Sequence, residues 1–158
     1  MYFNKINLNK ISITKTKSNF FKVNYNDGIF IFDTPYLYNI FGLEKFFILK
    51  LQLRKVKNDI QEFLMFLKSL EIKLQELTHK EIQSQIIESE SYDELLITKF
   101  INRNNKIIVD IKNNKNENLN IYNLEKKIFI KASLVLDTLF LKDNKIYYKF
   151  KIKYIETE

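Results

Sequence analysis

A row of lysines near the end of the chain is the clearest pattern that could do chemistry. Lys149, Lys151 and Lys153 alternate with apolar residues, as in an amphipathic β-strand. Residues two apart on a strand lie about 6.5–7 Å apart on one face. This spacing is close to that of phosphates in an extended single strand, so each ammonium group can meet one phosphate. The alternative is a solvated face, or an edge strand that its charge protects from pairing.

Aromatic side chains are interleaved with the basic stretches. The chain has 14 phenylalanines, 9 tyrosines and no tryptophan. Tyr147 lies in the lysine row beside Lys145, and a predicted loop carries Tyr36, Tyr38 and Phe41. Stacking of a base on such a ring is worth about 1–3 kcal/mol and tolerates any base. Most aromatic residues are expected in the core, and these four rings are the candidates for stacking.

The charge of the chain is segregated into three blocks. Residues 1–60 carry a net charge of +6, residues 61–98 of −5 and residues 99–158 of +6. Lysine outnumbers arginine 24 to 2, which is typical of an AT-rich genome and weakens the overall charge as evidence for nucleic-acid binding. Codon bias acts on the whole gene and does not explain the segregation. The flanks are therefore candidate electropositive surfaces, and we expect Arg54 or Arg103 to border them.

Several functional classes are excluded by composition. Without cysteine there are no disulfides, thiolate zinc sites or cysteine nucleophiles, and a single histidine, His79, excludes a multi-histidine metal site. Gly28 and Gly42 do not form a phosphate-binding loop. No apolar run reaches the ~18 residues of a membrane span, and the N-terminus lacks a signal-peptide core. We expect a soluble intracellular protein with no cofactor, no metal and no membrane partner.

One enzymatic pattern is present. Asp110-Ile111-Lys112, with Asp93 or Glu94 upstream, loosely resembles the acid pair and lysine of nucleases that hold Mg²⁺ with carboxylates. Asp-x-Lys also arises by chance in a lysine-rich chain. A metal-dependent nuclease is therefore the less favoured alternative, and we expect a strand that ends in solvated charges and a protein that is not an enzyme.

Strand character dominates the first block. Asp27-Gly28, between the alternating runs 21–25 and 29–32, predicts a β-hairpin. Residues 36–42 are typical of a loop, and residues 46–53 of a further strand.

The middle block predicts a helix. Apolar residues with 3-4 spacing indicate an amphipathic helix over about 58–78, packed on a sheet rather than in a coiled coil. A second, shorter helix is predicted over 92–101. Strands follow over 106–112, 128–141 and 146–155, the last two joined by a tight turn. The order of elements, with strands on both sides of a helix, indicates an α+β or barrel domain.

The order of short motifs resembles a known family. The motifs are Asp33-Thr34-Pro35, an aromatic loop, Gly42, the strand 46–53, the helix segment Phe63-x3-Leu67-x2-Leu70-Glu71, Ile130-Lys131-Ala132-Ser133, Leu139-Phe140-Leu141 and the hairpin to Tyr154. This order is similar to that of the single-stranded DNA-binding proteins of large nucleocytoplasmic DNA viruses, a group likened to phage replication-type single-strand binders. The resemblance covers about residues 29–155.

Two features depart from that family. Its terminal hairpin usually carries a tryptophan and a glycine, where this chain has Phe140 and Tyr147. Phage relatives also carry an acidic, aromatic-terminated tail that recruits partners, whereas this sequence stops at Glu156-Thr157-Glu158.

The resemblance implies an OB-type barrel that coats single strands during viral DNA replication or repair. We therefore predict an α+β, mainly β fold: an OB-like antiparallel barrel or sandwich with one long amphipathic helix inserted near the middle. It forms one nucleic-acid-binding domain, 1–158, with strands over 11–53 and 106–155. The predicted contact residues are Lys145, Tyr147, Lys149, Lys151, Lys153, Tyr36, Tyr38, Phe41, Arg54, Arg103 and Lys131.

The expected partner is single-stranded DNA, and RNA and a homodimer stay open as further partners. The expected place of action is intracellular; for a viral protein it is the host cytoplasmic replication site or the nucleus, with packaging in the virion left open. The alternative function is that of a structural or assembly protein, such as a virion component, whose aromatics fill a subunit interface.

Overall fold

The structure is a computed structural model that describes residues 1–54, 57–88 and 93–158. Within these ranges it has one α-helix, α1 (Asn58–Thr78), and four single-turn 3₁₀ helices at Phe3–Lys5, Leu8–Lys10, Lys45–Phe47 and Ile121–Asn123. The strands are β1 (Ile11–Lys17), β2 (Phe20–Tyr25), β3 (Ile31–Asp33), β4 (Leu37–Glu44), β5 (Ile48–Gln52), β6 (Glu81–Ile82), β7 (Ile86–Ile87), β8 (Leu95–Arg103), β9 (Lys106–Ile108), β10 (Asp110–Lys112), β11 (Asn118–Leu119), β12 (Ile128–Val135), β13 (Thr138–Lys142), β14 (Lys145–Tyr148) and β15 (Phe150–Thr157).

Five of these strands close into a barrel. β4 pairs with β5, β5 with β8, β8 with β15, β15 with β12, and β12 with β4. Within this circuit the ladders are antiparallel except that between β8 and β15, which is parallel and places Thr98 opposite Phe150. Numbered along the chain, the circuit is 1-2-3-5-4-1, the order of the five-stranded Greek-key OB barrel. The predicted α+β, mainly β, OB-like fold is confirmed, and the circuit is closed.

A second sheet is attached to the barrel. The β13–β14 hairpin lies between the fourth and fifth barrel strands in sequence, and it pairs with the N-terminal hairpin β1–β2 in the order β1-β2-β13-β14-β6. A tight turn joins β13 to β14, and Asp143 and Asn144 there have φ values of 50° and 63°, as type I′ turns require. The hairpin leaves the barrel at Asp137 and rejoins it at Lys149. The two predicted long strands, 128–141 and 146–155, are interrupted at these two points.

Helix α1 covers the range over which the apolar spacing predicts it. Its apolar stripe is buried, with Ile60, Phe63, Leu67, Leu70 and Leu74 no more than 1% exposed. The helix ends where His79 takes a left-handed conformation (φ 55°) and donates its backbone N–H to the Gln75 carbonyl at 2.8 Å, an αL C-cap. Within the described ranges, no helix combines the length and apolarity needed to cross a bilayer.

A tight turn is present one residue earlier than predicted, with Asn26 and Asp27 at its centre and a bridge from Tyr25 to Gly28, but the predicted hairpin around it is wrong. Asn26 and Asp27 have φ values of 49° and 62°, yet β2 pairs with β1 on its N-terminal side. After the turn the chain crosses to the barrel, where β3 pairs with β12. Phe30 and Phe32 are fully buried there. A longer hairpin would keep these two rings out of the core and would lose the free energy that their burial contributes.

Two further predicted elements are wrong. Most of the loop predicted over 36–42 belongs to strand β4, whose Leu37 and Asn39 are buried. The helix predicted over 92–101 is wrong, because residues 95–101 belong to the barrel strand β8 and residues 93–94 are irregular. Residue 92 lies outside the described residues. Leu96, Thr98 and Phe100 alternate into the barrel interior. Leu95 is also buried. Two adjacent buried leucines, Leu95 and Leu96, hide the alternation of buried and exposed residues that marks a strand.

Candidate nucleic-acid interface

A groove lies between the β13–β14 hairpin and the barrel strands β8 and β15. Two pockets of about 460 and 440 Å³ adjoin along it, and both are lined by Asp137, Lys149 and Lys151. A smaller pocket of about 120 Å³ also touches Lys149 and is lined by Lys99 and Ile48. Lys149 lines all three, so the pockets lie side by side around this side chain.

One wall of the groove is a row of aromatic rings. Phe140 lies opposite Phe20 on one side and opposite Tyr147 on the other, so the three rings run across β2, β13 and β14. The centroids of Phe20 and Phe140 are 4.9 Å apart. Phe20 is 38% exposed and Tyr147 37%, so both rings can be reached from solvent. Of the three, Tyr147 was a predicted contact.

The other wall is basic. The predicted Lys149 and Lys151 line it with Lys99, which the parallel ladder places opposite Lys151. Burial lowers the pKa of Lys149 below its usual 10.5, and the ammonium groups of Lys99 and Lys151 lower it further. The predicted Arg103 lines the same pocket at the end of β8. The fold therefore holds several positive charges close together. A bound anion would reduce the repulsion between them.

One acidic side chain interrupts this wall. The two carboxylate oxygens of Asp137 lie 3.0 and 3.1 Å from the Lys151 Nζ atom. Among the described residues, neither Lys99 nor Lys149 forms an ion pair within 4 Å. The groove therefore holds two lysines without an acidic partner and one lysine with a partner.

The predicted lysine row is interrupted at Lys153. β12 places Ser133 opposite Tyr154 and Leu134 opposite Ile152, which leaves Lys153 in a β-bulge. Beyond the bulge the alternation inverts, since Ile155 is buried and Tyr154 is half-exposed. The regular spacing of three lysines is therefore wrong: Lys149 and Lys151 line the groove, and Lys153 is exposed outside its lining. The predicted Lys145 lies at the far end of β14, 3.6 Å from Glu81.

Other predicted residues gather on a second surface. The Arg54 guanidinium carbon lies 3.8 Å from the Tyr38 ring centroid, and the Lys57 Nζ atom lies 4.5 Å from that of Phe129. Tyr38 and Phe129 are opposite each other on β4 and β12. The predicted Lys131, also on β12, lies with its Nζ atom 5.5 Å from the ring of Tyr2. β12 borders β15, but Lys131 is opposite Glu156, five residues beyond Lys151. None of these side chains lines the three pockets of the groove, so this surface is separate from the pocket linings.

Tyr36 and Phe41, two of the predicted stacking residues, are both partly buried in the fold. The Tyr36 hydroxyl donates a hydrogen bond to Glu156. This bond, burial and the negative charge of Glu156 raise the pKa of Tyr36 to about 12. Phe41 is half-buried within β4.

The loop between β4 and β5 holds an aromatic residue, Phe46, that the sequence pattern predicts in a strand. Phe46 is 78% exposed, and both Phe46 and Phe47 have left-handed backbones with φ values of 61° and 62°. Such a conformation is strained for a bulky side chain and is concentrated at functional sites. The loop leads directly into Ile48, which lines the smallest pocket. Two adjacent phenylalanines after a lysine give no sequence signal for this geometry.

The nuclease alternative has no metal cluster in the described parts of the chain. No group of three or more histidine, aspartate or glutamate side chains is placed there to hold a metal ion. Asp110 is exposed in β10, opposite Tyr154 of β15.

Comparison with known proteins gives matches in structure alone. No protein-family model and no curated protein matches the sequence. A single-stranded DNA-binding protein from bacteriophage Enc34, truncated at its C-terminus, is similar with a TM-score of 0.55 and 10% identity, over 95% of this chain and 94% of that chain. The chain therefore shares its fold with a phage protein.

Two further structures of the Enc34 protein are similar as well. One has a TM-score of 0.48 and 11% identity, over 94% of this chain and 89% of that chain. The other, in complex with ssDNA, has a TM-score of 0.49 and 11% identity, over 94% and 95%. The shared fold extends over nearly the whole of both chains, whereas assignment to the family of the large DNA viruses stays a prediction.

Proposed function

We propose that this protein binds single-stranded DNA, with little dependence on sequence, in the groove between the β13–β14 hairpin and strands β8 and β15. One observation carries the proposal: the lysine cluster Lys99, Lys149 and Lys151 lies beside the exposed aromatic row Phe20, Phe140 and Tyr147. A basic track next to stacking rings is the combination that single-strand binders use.

The phosphates are assigned to the 440 Å³ pocket. Its lining combines Lys99, Arg103, Lys149 and Lys151, whose long side chains donate charge-assisted hydrogen bonds to anionic oxygens. Burial lowers the pKa of Lys149 most, and the positive charges of Lys99 and Lys151 lower it further. A phosphate would stabilise the protonated lysine and hence be stabilised by it.

The bases are assigned to the 460 Å³ pocket. Phe20, Phe140 and Tyr147 offer ring surface there, and Gln85 and Thr138 offer polar groups. Stacking on a ring needs a base whose face is free, which a single strand provides and a duplex does not. We therefore expect a preference for single strands over duplex.

The position of the groove in the fold supports the same assignment. OB folds bind oligonucleotides on the face of their second and third strands and with the loops after the first and fourth strands. In this chain those elements are β5 and β8, the loop at Lys45–Phe47 and the β13–β14 hairpin. The structurally similar phage protein, which is named as a single-stranded DNA-binding protein, has the same fold.

The wider role follows from the resemblance stated above. We propose that the protein coats single strands during viral DNA replication or repair, as one domain without catalytic residues, at an intracellular site of replication. Contacts from the second surface, at Arg54, Tyr38 and Lys131, and from Tyr36, Phe41, Lys145 and Lys153 remain predictions. RNA binding and a homodimer are outcomes that the experiments below separate.

Titration of a labelled dT oligonucleotide tests the proposal. An oligonucleotide of about 20 nucleotides exceeds the site of one OB fold, and fluorescence anisotropy at about 50 mM and about 200 mM salt gives the salt dependence. If three phosphates are neutralised, affinity should fall about 20-fold between these concentrations. A duplex and an RNA of equal length serve as competitors, and sedimentation of the free protein gives its oligomeric state.

A double variant separates the groove from general positive charge. Lys99→Ala with Lys149→Ala should reduce the slope of log K against log salt by about 1.4. Lys115→Ala removes an exposed lysine in the loop after β10, outside the pocket linings, and should leave the slope nearly unchanged. No binding at low salt would overturn the proposal and favour the structural or assembly alternative.

A further inference from the structure

Asp137 stands out within the groove because of its charge. Among the described residues that line the two larger pockets it alone is acidic. Its carboxylate holds Lys151 through both oxygens at 3.0 and 3.1 Å. A carboxylate in the middle of a phosphate-binding wall opposes the function that the wall serves.

The position of this carboxylate is fixed by the backbone. Asp137 lies at the junction where β12 ends and β13 begins, and its carbonyl accepts a hydrogen bond from the Val23 N–H at 2.9 Å. Lys151 lies opposite Val135, two residues before Asp137. The ion pair is therefore built into the corner where the hairpin leaves the barrel, and its two residues lie close together whether or not a ligand is bound.

We propose that Asp137 acts as an internal competitor for the phosphate that Lys151 would otherwise bind, and that it thereby limits the affinity of the groove and speeds release of the strand. This inference rests on the proposed function. Carboxylate and phosphate oxygens accept the same charge-assisted hydrogen bonds from an ammonium group. The Lys151 ammonium has three N–H donors, and both Asp137 oxygens lie within 3.1 Å of it, so a phosphate competes with the carboxylate for these donors.

The exposure of the pair makes this exchange feasible. The side chains of Lys151 and Asp137 are 36% and 44% exposed, and ion pairs of this kind are weak and easily broken. When a phosphate takes Lys151, Asp137 is left as an unpaired anion beside the strand. It then repels the phosphate and attracts a cation from solution, so part of the counterion release is cancelled.

Asp137→Asn tests the inference because it keeps the shape and removes the charge. Affinity for the dT oligonucleotide should rise about three- to tenfold at low salt. The slope of log K against log salt should steepen, by at most the ~0.7 that one phosphate contributes, because no cation is taken up on binding. Dissociation measured by stopped flow with excess unlabelled competitor should be slower. Asp137→Glu, which keeps the charge, should bind like the unchanged protein.

Asp27→Asn is the matched control. Asp27 is exposed at the opposite end of β2 from Phe20, has a φ of 62° that asparagine tolerates, and changes the net charge by the same amount. If Asp137→Asn tightens binding no more than Asp27→Asn does, or weakens it, the inference is overturned. If the unchanged protein does not bind at all, the proposed function itself fails. Thermal melting of each variant shows that the comparison is between folded proteins.

Discussion

The Tyr148 hydroxyl donates a hydrogen bond to Glu71 Oε2 at 2.6 Å, which joins the β13–β14 hairpin to the middle of helix α1. The other oxygen of the same carboxylate accepts a hydrogen bond from the Ser84 hydroxyl at 2.8 Å. Lys149 follows Tyr148 in sequence, and Gln85 follows Ser84. One helical carboxylate thus positions two separate segments of the groove from behind.

Tyr148→Phe should destabilise the fold and loosen the groove. The change leaves one lone-pair site of Glu71 without its donor in a largely buried place, and we expect a loss of about 1–3 kcal/mol in the free energy of unfolding. Urea denaturation measures this loss. Tyr122→Phe removes the hydroxyl of a tyrosine that is 86% exposed and should cost nothing measurable. Equal effects of the two changes would contradict the assigned role of Tyr148.

Tyr147→Ala should weaken binding without changing its salt dependence. Loss of one stacking ring corresponds to about 1–3 kcal/mol, or about 5- to 150-fold in affinity, while the number of phosphates contacted stays the same. Anisotropy titration at several salt concentrations gives both quantities. Tyr147→Phe keeps the ring and should retain most of the affinity. A reduced slope in Tyr147→Ala would show that the ring positions a phosphate contact instead.

Phe46→Asn should change stability and binding in opposite directions. Asparagine tolerates the left-handed backbone of this position better than phenylalanine, and the exposed ring contributes little burial, so we expect stability to rise by about 1 kcal/mol. If the ring stacks on a base, affinity should fall. Urea denaturation and oligonucleotide titration on the same preparation decide the matter. Unchanged affinity would remove Phe46 from the interface.

Arg54→Ala should reduce affinity for the oligonucleotide far less than the double change of Lys99 and Lys149. Arg54 packs on Tyr38, on a surface separate from the groove. Anisotropy titration with the same dT oligonucleotide compares the variants at equal salt. A loss as large as that of the groove variant would show that the strand contacts the second surface as well, as the sequence analysis predicts.

Tyr36→Phe should alter the alkaline unfolding of the protein. The folded pKa of Tyr36 is raised to about 12 from an ordinary 10.0. Between these pH values the folded state keeps a proton that the unfolded state loses. The contribution to stability is therefore complete below pH 10 and is lost as the pH rises through the folded pKa.

Urea denaturation at about pH 8 and about pH 11 measures that contribution. Tyr36→Phe should be less stable at the lower pH and should lose less stability on the change to the higher one. An equal loss in both proteins would mean that the hydrogen bond to Glu156 does not perturb Tyr36.

Local patterns predicted some elements because their cause is local. The apolar spacing in α1 follows directly from one buried face, and the turn at Asp143–Asn144 follows from residues that tolerate a positive φ. The alternation of the last strands predicts Tyr147, Lys149 and Lys151 on one face, and these three side chains line one pocket of the groove. These signals need no knowledge of which strands pair.

The remaining features depend on partners that are distant in sequence. Lys99 joins the cluster only because β8 runs parallel to β15, and no local pattern contains that register. The bulge at Lys153 arises where β12 skips one residue of β15. The Asp27-Gly28 turn suggested a hairpin, but the burial of Phe30 against distant strands decided the path of the chain.

The parallel ladder between β8 and β15 also has a consequence for synthesis of the protein. Residues 98–100 of β8 and one side of β12 lack their partner until β15 leaves the ribosome. Unpaired edges are templates for pairing with other chains, and closure through such non-local contacts is slow. Before then, four of the five barrel strands are present without the strand that closes them. We expect this open barrel to be prone to aggregation, and the yield in a cell should depend on chaperones that cover these edges.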